Sequence, residues 1–251
     1  MKVAAIIQAR MESTRLPGKV LMEICGKPVL WHIVNRSLKS RYLEHVMIAT
    51  SNNSADDKIY QFALNNSIDV YRGSQTNVLE RFYRCALQYE PDIIVRLTGD
   101  NALIDPYIID SGIEYFIQNE GIDYIYYREG LPLGMAVEIF TYQALKTAYD
   151  EAEDDECLEH VTPYLYKNSK FNAKRVPGLE DDYSYLRWTL DTRQDYELIT
   201  KIYETLYGNG ERLFCFEDVI EQYKYHTEWK DINSNVEQVK VTYKGDTKGN
   251  I

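Results

Sequence analysis

The fold of this chain is decided by the stretch VAAIIQARMESTRLPGK, residues 3–19. Its first five residues, VAAII, are an apolar run bounded by polar residues, which is typical of a strand buried on both faces of a parallel sheet. The run breaks into a loop that carries Arg10, Arg15 and Lys19 between hydroxyl residues and a Pro-Gly turn. Because ligands of open parallel sheets bind beyond the carboxyl ends of the strands, the stretch predicts a binding loop at the sheet edge.

The residue types in this loop favour a polyphosphate ligand. Arginine makes planar, bidentate contacts with phosphate oxygens, and lysine adds a compact point charge. The alternative is a solvated basic loop without a ligand. The chain as a whole is acidic, with a formal net charge of -11, so a concentration of positive charge at the end of the first strand favours the binding interpretation. The pattern GxxxxGK[ST] of a Walker A loop is absent from the sequence.

Length and composition restrict the class of protein. A chain of 251 residues with 45% hydrophobic residues fits one α/β domain, or one domain with a small appendage. The negative net charge disfavours a nucleic-acid partner, which would need a basic face. We expect no membrane partner, because no apolar run approaches the roughly 18 residues of a membrane span, and we see no signal-peptide pattern.

The four cysteines are scattered at Cys25, Cys85, Cys157 and Cys215 and form no CxxC motif. Reduced thiols in a cytoplasmic protein are the simplest interpretation. A zinc site would need closely spaced ligands, and Cys157 with His160 is the one such pair, so we do not predict zinc.

Strand and helix patterns alternate through the first half of the chain. Strands are predicted at 46–50, 68–71, 92–97 and 123–127, and helices at 28–38, 55–65, 78–88 and 106–118. Ser54 is the expected N-cap of the second helix, and Asp105 before Pro106 caps the fourth. This alternation favours parallel βαβ units in a three-layer α/β/α sandwich.

The regular alternation of strand and helix patterns ends near residue 128. Further strands are predicted at 136–140, at 173–176 and in a segment that ends at Leu190, and helices at 142–149, from Thr192 through 206, and at 216–225. The acidic run at 150–156 is interpreted as a solvated face or a helix N-terminus. We therefore expect one main domain over 1–240 with a small inserted element at about 129–178, followed by a polar tail over 241–251.

Two aspartates follow predicted strands far apart in the chain. Asp100 lies in RLTGD, residues 96–100, and Asp191 lies in LDT, residues 190–192. A carboxylate at a strand end, such as that of Asp100, suits Mg²⁺ and its delivery to a triphosphate. The alternatives for Asp191 are an N-cap role of its own or a position beside the helix cap Thr192, whereas Asp100 lies too far upstream to cap the helix that begins at Pro106.

These motifs together resemble those of the bacterial cytidylyltransferases. Ala9-Arg10 and STRLPGK at 13–19, RLTGD at 96–100 and LDT at 190–192 are similar to the signatures of the spore-coat SpsF type, and more distantly to CMP-Kdo and CMP-sialic acid synthetases. The resemblance spans residues 6 to about 196. It implies a Rossmann-like three-layer α/β/α nucleotidyltransferase fold with a mostly parallel sheet, often a homodimer through the inserted element.

The resemblance also implies roles for individual residues. The implied nucleotide-binding residues are Gln8, Ala9, Arg10, Ser13, Arg15, Lys19, Arg72, Asn77, Thr98 and Asp100. Arg10, Arg15, Lys19 and Asp100 would act in catalysis, and Asp100 with Asp191 would bind Mg²⁺. Glu138 and His160, from segments similar to the family's acceptor region, would contact the acceptor. The chain departs from the family at Asn101-Ala102, at Ala136, where relatives carry Asp, and at Arg193-Gln194.

The resemblance predicts a CTP-dependent cytidylyltransferase that couples CMP to an acidic sugar, a sugar or polyol phosphate, or a similar small acceptor, for surface or spore polysaccharide. CTP as the nucleotide rests on the resemblance, since no residue spacing by itself reads a cytosine. Two alternatives are a nucleotide-sugar-dependent glycosyltransferase and a non-catalytic nucleotide-binding subunit. A glycosyltransferase usually carries an Asp-x-Asp pair, and none follows a predicted strand here.

Overall fold

The computed structural model describes residues 1–127, 129–208 and 212–238. The described strands are β1 Val3–Gln8, β2 Glu23–Ile24, β3 Lys27–Pro28, β4 His45–Ser51, β5 Asp69–Gly73, β6 Ile93–Thr98, β7 Tyr124–Tyr127, β8 Val137–Thr141 and β9 Ala173–Arg175. The described helices are α1 Val29–Ser37, α2 Asp57–Asn65, α3 Val78–Ala86, α4 Pro106–Gln118, α5 Tyr142–Glu151, α6 Asp155–His160, α7 Pro163–Lys167, α8 Arg193–Leu206, α9 Phe216–Gln222 and α10 Trp229–Ile232. None of these helices combines the length and apolar composition needed to cross a bilayer.

Seven strands form one sheet in the order β5-β4-β1-β6-β8-β7-β9. Strands β5, β4, β1 and β6 are parallel, while β8 runs antiparallel to both β6 and β7. The predicted mostly parallel sheet is confirmed. In its centre, β1 and β6 are in register so that Gln8 lies opposite Thr98, which brings their carboxyl ends together at one edge.

The core lies on both faces of this sheet, as the apolar run at 3–7 predicts. Alternate residues of β1 point to opposite faces. Ala5 and Ile7 join a cluster packed by α1, α2, α4, α8 and α9, whereas Ala4 and Ile6 join one packed by α3, α5 and α7. The predicted α/β/α layering is therefore confirmed.

Helix caps follow the sequence in two of three cases. The Asp105 side chain accepts from the amide of Tyr107, and Thr192 caps α8 in a capping box with Asp195. The prediction of Ser54 as the cap of α2 was wrong. The chain enters α2 through a 3-10 turn, Ser54–Asp56, so the capping side chain is that of Asn53, which accepts from the amide of Ala55.

The second half of the chain differs more from the prediction. The strands predicted at 136–140 and 173–176 are present as β8 and β9 of the main sheet, whereas α10 and the β2–β3 pair were not predicted. The predicted last helix ends at Gln222. The tail at 241–251 lies outside the described residues.

The predicted strand that ends at Leu190 was wrong within the described ranges, because this segment makes only an isolated bridge, between Leu133 and Arg187. The reason is a close crossing of two backbones. Gly134 has φ +104, and a Cβ built there would lie 2.5 Å from the amide nitrogen of Thr189. Glycine permits both the positive φ and the approach, so the crossing replaces a regular ladder.

We expect Gly134→Ala to destabilise the protein more than Gly121→Ala does. Both glycines have positive φ, but a Cβ at Gly121 meets nothing within 4 Å. Both variants therefore carry the conformational cost, and only Gly134→Ala adds a clash, expected to lower the free energy of unfolding by about 1–3 kcal/mol more. Urea denaturation of the two variants measures the difference, and equal losses would contradict the crossing.

Candidate active site

The loop that follows β1 lies over the carboxyl ends of β1 and β6. The amide of Gly99 donates to the carbonyl of Gln8 at 2.8 Å and so ties the two strand ends together. A Cβ on Gly99 would lie 3.1 Å from that carbonyl oxygen and 3.0 Å from Val20, so a side chain there would crowd this approach. The sequence motif RLTGD thus places Asp100 directly beside the basic loop.

Three distant segments converge on the ammonium of Lys19. Its Nζ lies 2.8 Å from Oδ2 of Asp100 and 2.9 Å from Oδ1 of Asp191. The amide of Leu190 donates to the carbonyl of Asp100 at 3.0 Å, which holds the segment before α8 against the end of β6. The two predicted aspartates therefore contact one shared cation, the ammonium of Lys19.

Asp191 has two further cationic neighbours. Arg15 lies 3.0 Å and Arg187 2.9 Å from its Oδ2. Burial alone would raise the pKa of Asp191, but Lys19, Arg15 and Arg187 outweigh this effect and hold the pKa below its usual value. Burial alone would lower the pKa of Lys19, but Asp100 and Asp191 outweigh it and raise the pKa. Both groups therefore stay charged at neutral pH.

Two cavities meet at these aspartates. The first, about 340 Å³, is the loop cavity, lined by Gln8, Ala9, Arg10, Glu12, Ser13, Thr14, Arg15, Lys19, Val20, Thr98, Gly99, Asp100 and Asp191. The second, about 500 Å³, is the distal cavity, lined by Thr14, Arg15, Arg96, Thr98, Asp100, Asn101, Tyr126, Leu133, Gly134, Ala136, Glu138, Thr189, Asp191 and Gln238. Both are lined by Asp100 and Asp191, so groups bound in the two cavities can meet at the carboxylates.

In one wall of the distal cavity, polar side chains are hydrogen-bonded to one another. Glu138 forms an ion pair with Arg96, and its other oxygen accepts from the hydroxyls of Tyr124 and Thr162, each at 2.7 Å. Arg96 also donates to the side chain of Gln8 at 2.9 Å. Because β6 and β8 pair with Arg96 opposite Glu138, sheet register fixes this ion pair.

The structure brings most of the predicted residues together. Gln8, Ala9, Arg10, Ser13, Arg15, Lys19, Thr98, Asp100 and Asp191 line the loop cavity, and Glu138 lines the distal cavity. His160, in the last turn of α6, lines neither cavity, and burial lowers its pKa.

Arg72 and Asn77, predicted to bind the nucleotide, also line neither cavity. Arg72 donates to the carbonyls of Ser51 and Asn53, each at 3.0 Å, and pairs with Asp57 at 2.7 Å. The side-chain oxygen of Asn77 caps α3 by accepting from the amide of Glu80 at 2.8 Å. These contacts let Arg72 hold the end of β4 against β5, and Asn77 fixes the start of α3.

Sequence reasoning assigned no role to several residues of the site. They are Arg96, Tyr126, Arg187, Thr189 and Gln238. Arg96 carried a signal, because a charge inside an otherwise apolar strand needs a partner. The others lie in segments whose position depends on long-range packing, and no local pattern marks them.

Comparison with known proteins places this geometry in a family. A family model for cytidylyltransferases matches residues 4–245. The spore coat polysaccharide biosynthesis protein SpsF of Bacillus subtilis (strain 168) is 36% identical over 209 residues, which cover 79% of this chain and 85% of SpsF. The resemblance predicted from the motifs is confirmed.

Solved structures agree with the family match. A cytidylyltransferase from Leptospira borgpetersenii serovar Hardjo-bovis has a TM-score of 0.85 and 34% identity, and the match covers 96% of this chain and 100% of that one. A CMP:2-keto-3-deoxy-manno-octonic acid synthetase complexed with CTP has a TM-score of 0.63 over 82% of this chain and 99% of that one. At 16% identity, the second match shows a shared fold only.

We expect Lys19→Met to raise the pKa of Asp191, because Lys19 is the foremost group that lowers it. A folded-state pKa below the unfolded value stabilises the protein above the unfolded pKa, and this stabilisation is lost as pH falls through the folded pKa. The variant should therefore lose less free energy of unfolding between about pH 5 and pH 2 than the wild type.

Carboxyl NMR titration and urea denaturation at several pH values measure both effects. Asp154 is the internal control, because its pKa is lowered first by its hydrogen bond to Cys157. An unchanged pKa of Asp191 in Lys19→Met would refute the ion pair.

Proposed function

The chain belongs to the cytidylyltransferase family of nucleotidyltransferases, and we propose that it transfers CMP from CTP to an oxygen of a small acceptor. The observation that carries this proposal is the meeting of the loop cavity and the distal cavity at Asp100 and Asp191. Transfer between two substrates needs two compartments that share the reacting centre. The loop cavity would take the nucleotide, and the distal cavity would take the acceptor.

Charge supports the assignment of the loop cavity to the triphosphate. Arg10, Arg15 and Lys19 line it, and Glu12 is the acidic residue there apart from the two shared aspartates. As the acceptor oxygen bonds to the α-phosphorus, the bond to the β-phosphate breaks and pyrophosphate leaves. Arg15 and Lys19 would offset the charge that develops on this leaving group.

The two aspartates fit a bound Mg²⁺. Both carboxylates already contact one cation, the Lys19 ammonium, so they converge on a single position. The described residues contain no group of three or more potential metal ligands. A site with two carboxylates is the type in which Mg²⁺ completes its coordination with water and substrate phosphates. When bound, Mg²⁺ supplies neutralisation of phosphate charge, and Asp100 and Asp191 would hold it.

The distal cavity bears on the acceptor. Its volume of about 500 Å³ lies in the range for a small-molecule site. We propose an acidic sugar, a sugar or polyol phosphate, or a similar molecule as acceptor, in line with the name of the relative SpsF, a spore coat polysaccharide biosynthesis protein. Glu138 would contact it, and His160 stays a proposed contact from α6. We also propose a homodimer through residues 129–178.

We expect pyrophosphate release with CTP, among the four nucleoside triphosphates, and an acceptor from a panel of acidic sugars and phosphorylated sugars or polyols. Asp100→Asn should reduce the rate on the order of 10²-fold or more. Asp92→Asn is the matched control, because Asp92 lies at the end of β6 opposite to Asp100. There it accepts a hydrogen bond from the amide of Lys2 at 2.7 Å. Release of UMP or UDP from a nucleotide-sugar would instead indicate a glycosyltransferase, and CTP binding without turnover would indicate a non-catalytic subunit.

We expect Lys19→Met to bind Mn²⁺ without nucleotide more tightly than the wild type does, because the Lys19 ammonium occupies the position between the carboxylates. Arg15→Met is the matched control, since it removes the same charge beside Asp191 but does not contact Asp100. Electron paramagnetic resonance of free Mn²⁺ measures the affinity. Equal tightening in the two variants would show that only net charge matters and that Lys19 does not occupy a metal position.

A further inference from the structure

Arg187 bridges Asp191 to a second carboxylate that lies outside both cavities. Its Nε and Nη2 donate to the two oxygens of Asp195 at 2.9 and 3.2 Å, and Nη2 also donates to Oδ2 of Asp191 at 2.9 Å. The side chain of Arg187 is 9% exposed and that of Asp195 is 0% exposed. The guanidinium is thus enclosed between the carboxylate that faces the cavities and one that does not.

Asp195 is a fixed anchor for this guanidinium. It closes the capping box of α8, and its Oδ2 accepts from the amides of Asp191 and Thr192 at 3.0 and 2.9 Å. Its Oδ1 accepts from Asn233 at 2.8 Å, and the same amide group donates to the carbonyl of Arg187, also at 2.8 Å. With five donors to one buried carboxylate, neither Asp195 nor Arg187 has freedom to turn.

The consequence for Asp191 is a defined orientation. Its Oδ2 is held by both Arg187 and Arg15, so Oδ1 is the oxygen that contacts Lys19, which also contacts Asp100. A carboxylate on a short, rotatable side chain would otherwise exchange its two oxygens. Outer-shell partners of this kind are known to set the orientation and affinity of metal-binding carboxylates.

We propose that Arg187 is a positioning residue that holds the Asp191 carboxylate in its metal-binding orientation without contacting nucleotide or metal. This inference rests on the proposed function, which assigns Asp191 to the metal. The Nη1 of Arg187 donates to Oε1 of Gln238 at 2.6 Å, and Gln238 lines the distal cavity. One guanidinium therefore positions the carboxylate and braces the cavity wall beside it.

The experiment must distinguish a misplaced Asp191 carboxylate from a protein that does not fold. Arg187→Met alone would leave the Asp195 charge buried without its partner, which is strongly destabilising. The double variant Arg187→Met/Asp195→Asn removes the ion pair with no change in net charge, and the amide oxygen introduced at position 195 can still accept from the helix amides. The matched control is Arg212→Met/Asp218→Asn, which removes the Arg–Asp pair of the α9 capping box, where the two side chains lie 2.8 Å apart.

We expect Mn²⁺ in the presence of CTP to bind Arg187→Met/Asp195→Asn at least about 10-fold more weakly than the wild type, by electron paramagnetic resonance. Arg212→Met/Asp218→Asn should bind it as the wild type does. Wild-type affinity in the Arg187 double variant would overturn the proposal. Failure of the wild type itself to bind Mn²⁺ with CTP in an Asp100-dependent way would instead refute the proposed function.

A second variant covers the case in which the double variant does not fold, as judged by circular dichroism. Arg187→Lys keeps the charge beside Asp195 but lacks the planar fork that reaches both carboxylates. We expect weaker Mn²⁺ binding in Arg187→Lys as well, measured in protein that circular dichroism shows to be folded. Wild-type Mn²⁺ affinity in a folded Arg187→Lys protein would overturn the positioning role.

Discussion

The convergence of Asp100 and Asp191 on one ammonium is the constraint on which the site depends. Two carboxylates this close repel each other, and partial burial strengthens the repulsion. Lys19 lies between them, and Arg15 and Arg187 both contact Oδ2 of Asp191. The cations offset this repulsion in the free protein, so the site is charged before any ligand arrives.

Sheet topology makes this convergence possible. Because β1 and β6 are adjacent and parallel, their carboxyl ends deliver the basic loop and Asp100 to the same edge. Asp191 comes from a segment that belongs to no strand, and it reaches the edge through the bond from Leu190 to the Asp100 carbonyl and the crossing at Gly134. The sheet therefore carries the basic loop and Asp100 directly, whereas tertiary contacts hold Asp191 against the sheet edge.

This division explains what the sequence could predict. The first strand, predicted over 3–7 and observed as Val3–Gln8, is encoded by local periodicity. Turn chemistry likewise marked the loop cations, the position of Asp100 after a strand, and the cap at Asp105. Local sequence does not determine the antiparallel position of β8 between β6 and β7, because that position depends on which edge of the sheet a strand joins. The ion pair of Arg96 with Glu138 follows from that position, so the wall of the distal cavity could not be derived from spacing alone.

The nucleotide-binding role of Arg72 and Asn77 stays a prediction, and both residues show the limit of reasoning from residue type. An arginine and an asparagine after a strand suit a ligand by residue type, but residue type does not say which neighbours have already taken their hydrogen bonds. Here backbone carbonyls and Asp57 engage Arg72, and a helix amide engages Asn77. Lys19 and Arg15 also have partners, but those partners are the carboxylates that face the cavities. The partner of a charged side chain, more than its type, therefore separates the groups that shape the scaffold from those that a substrate can recruit.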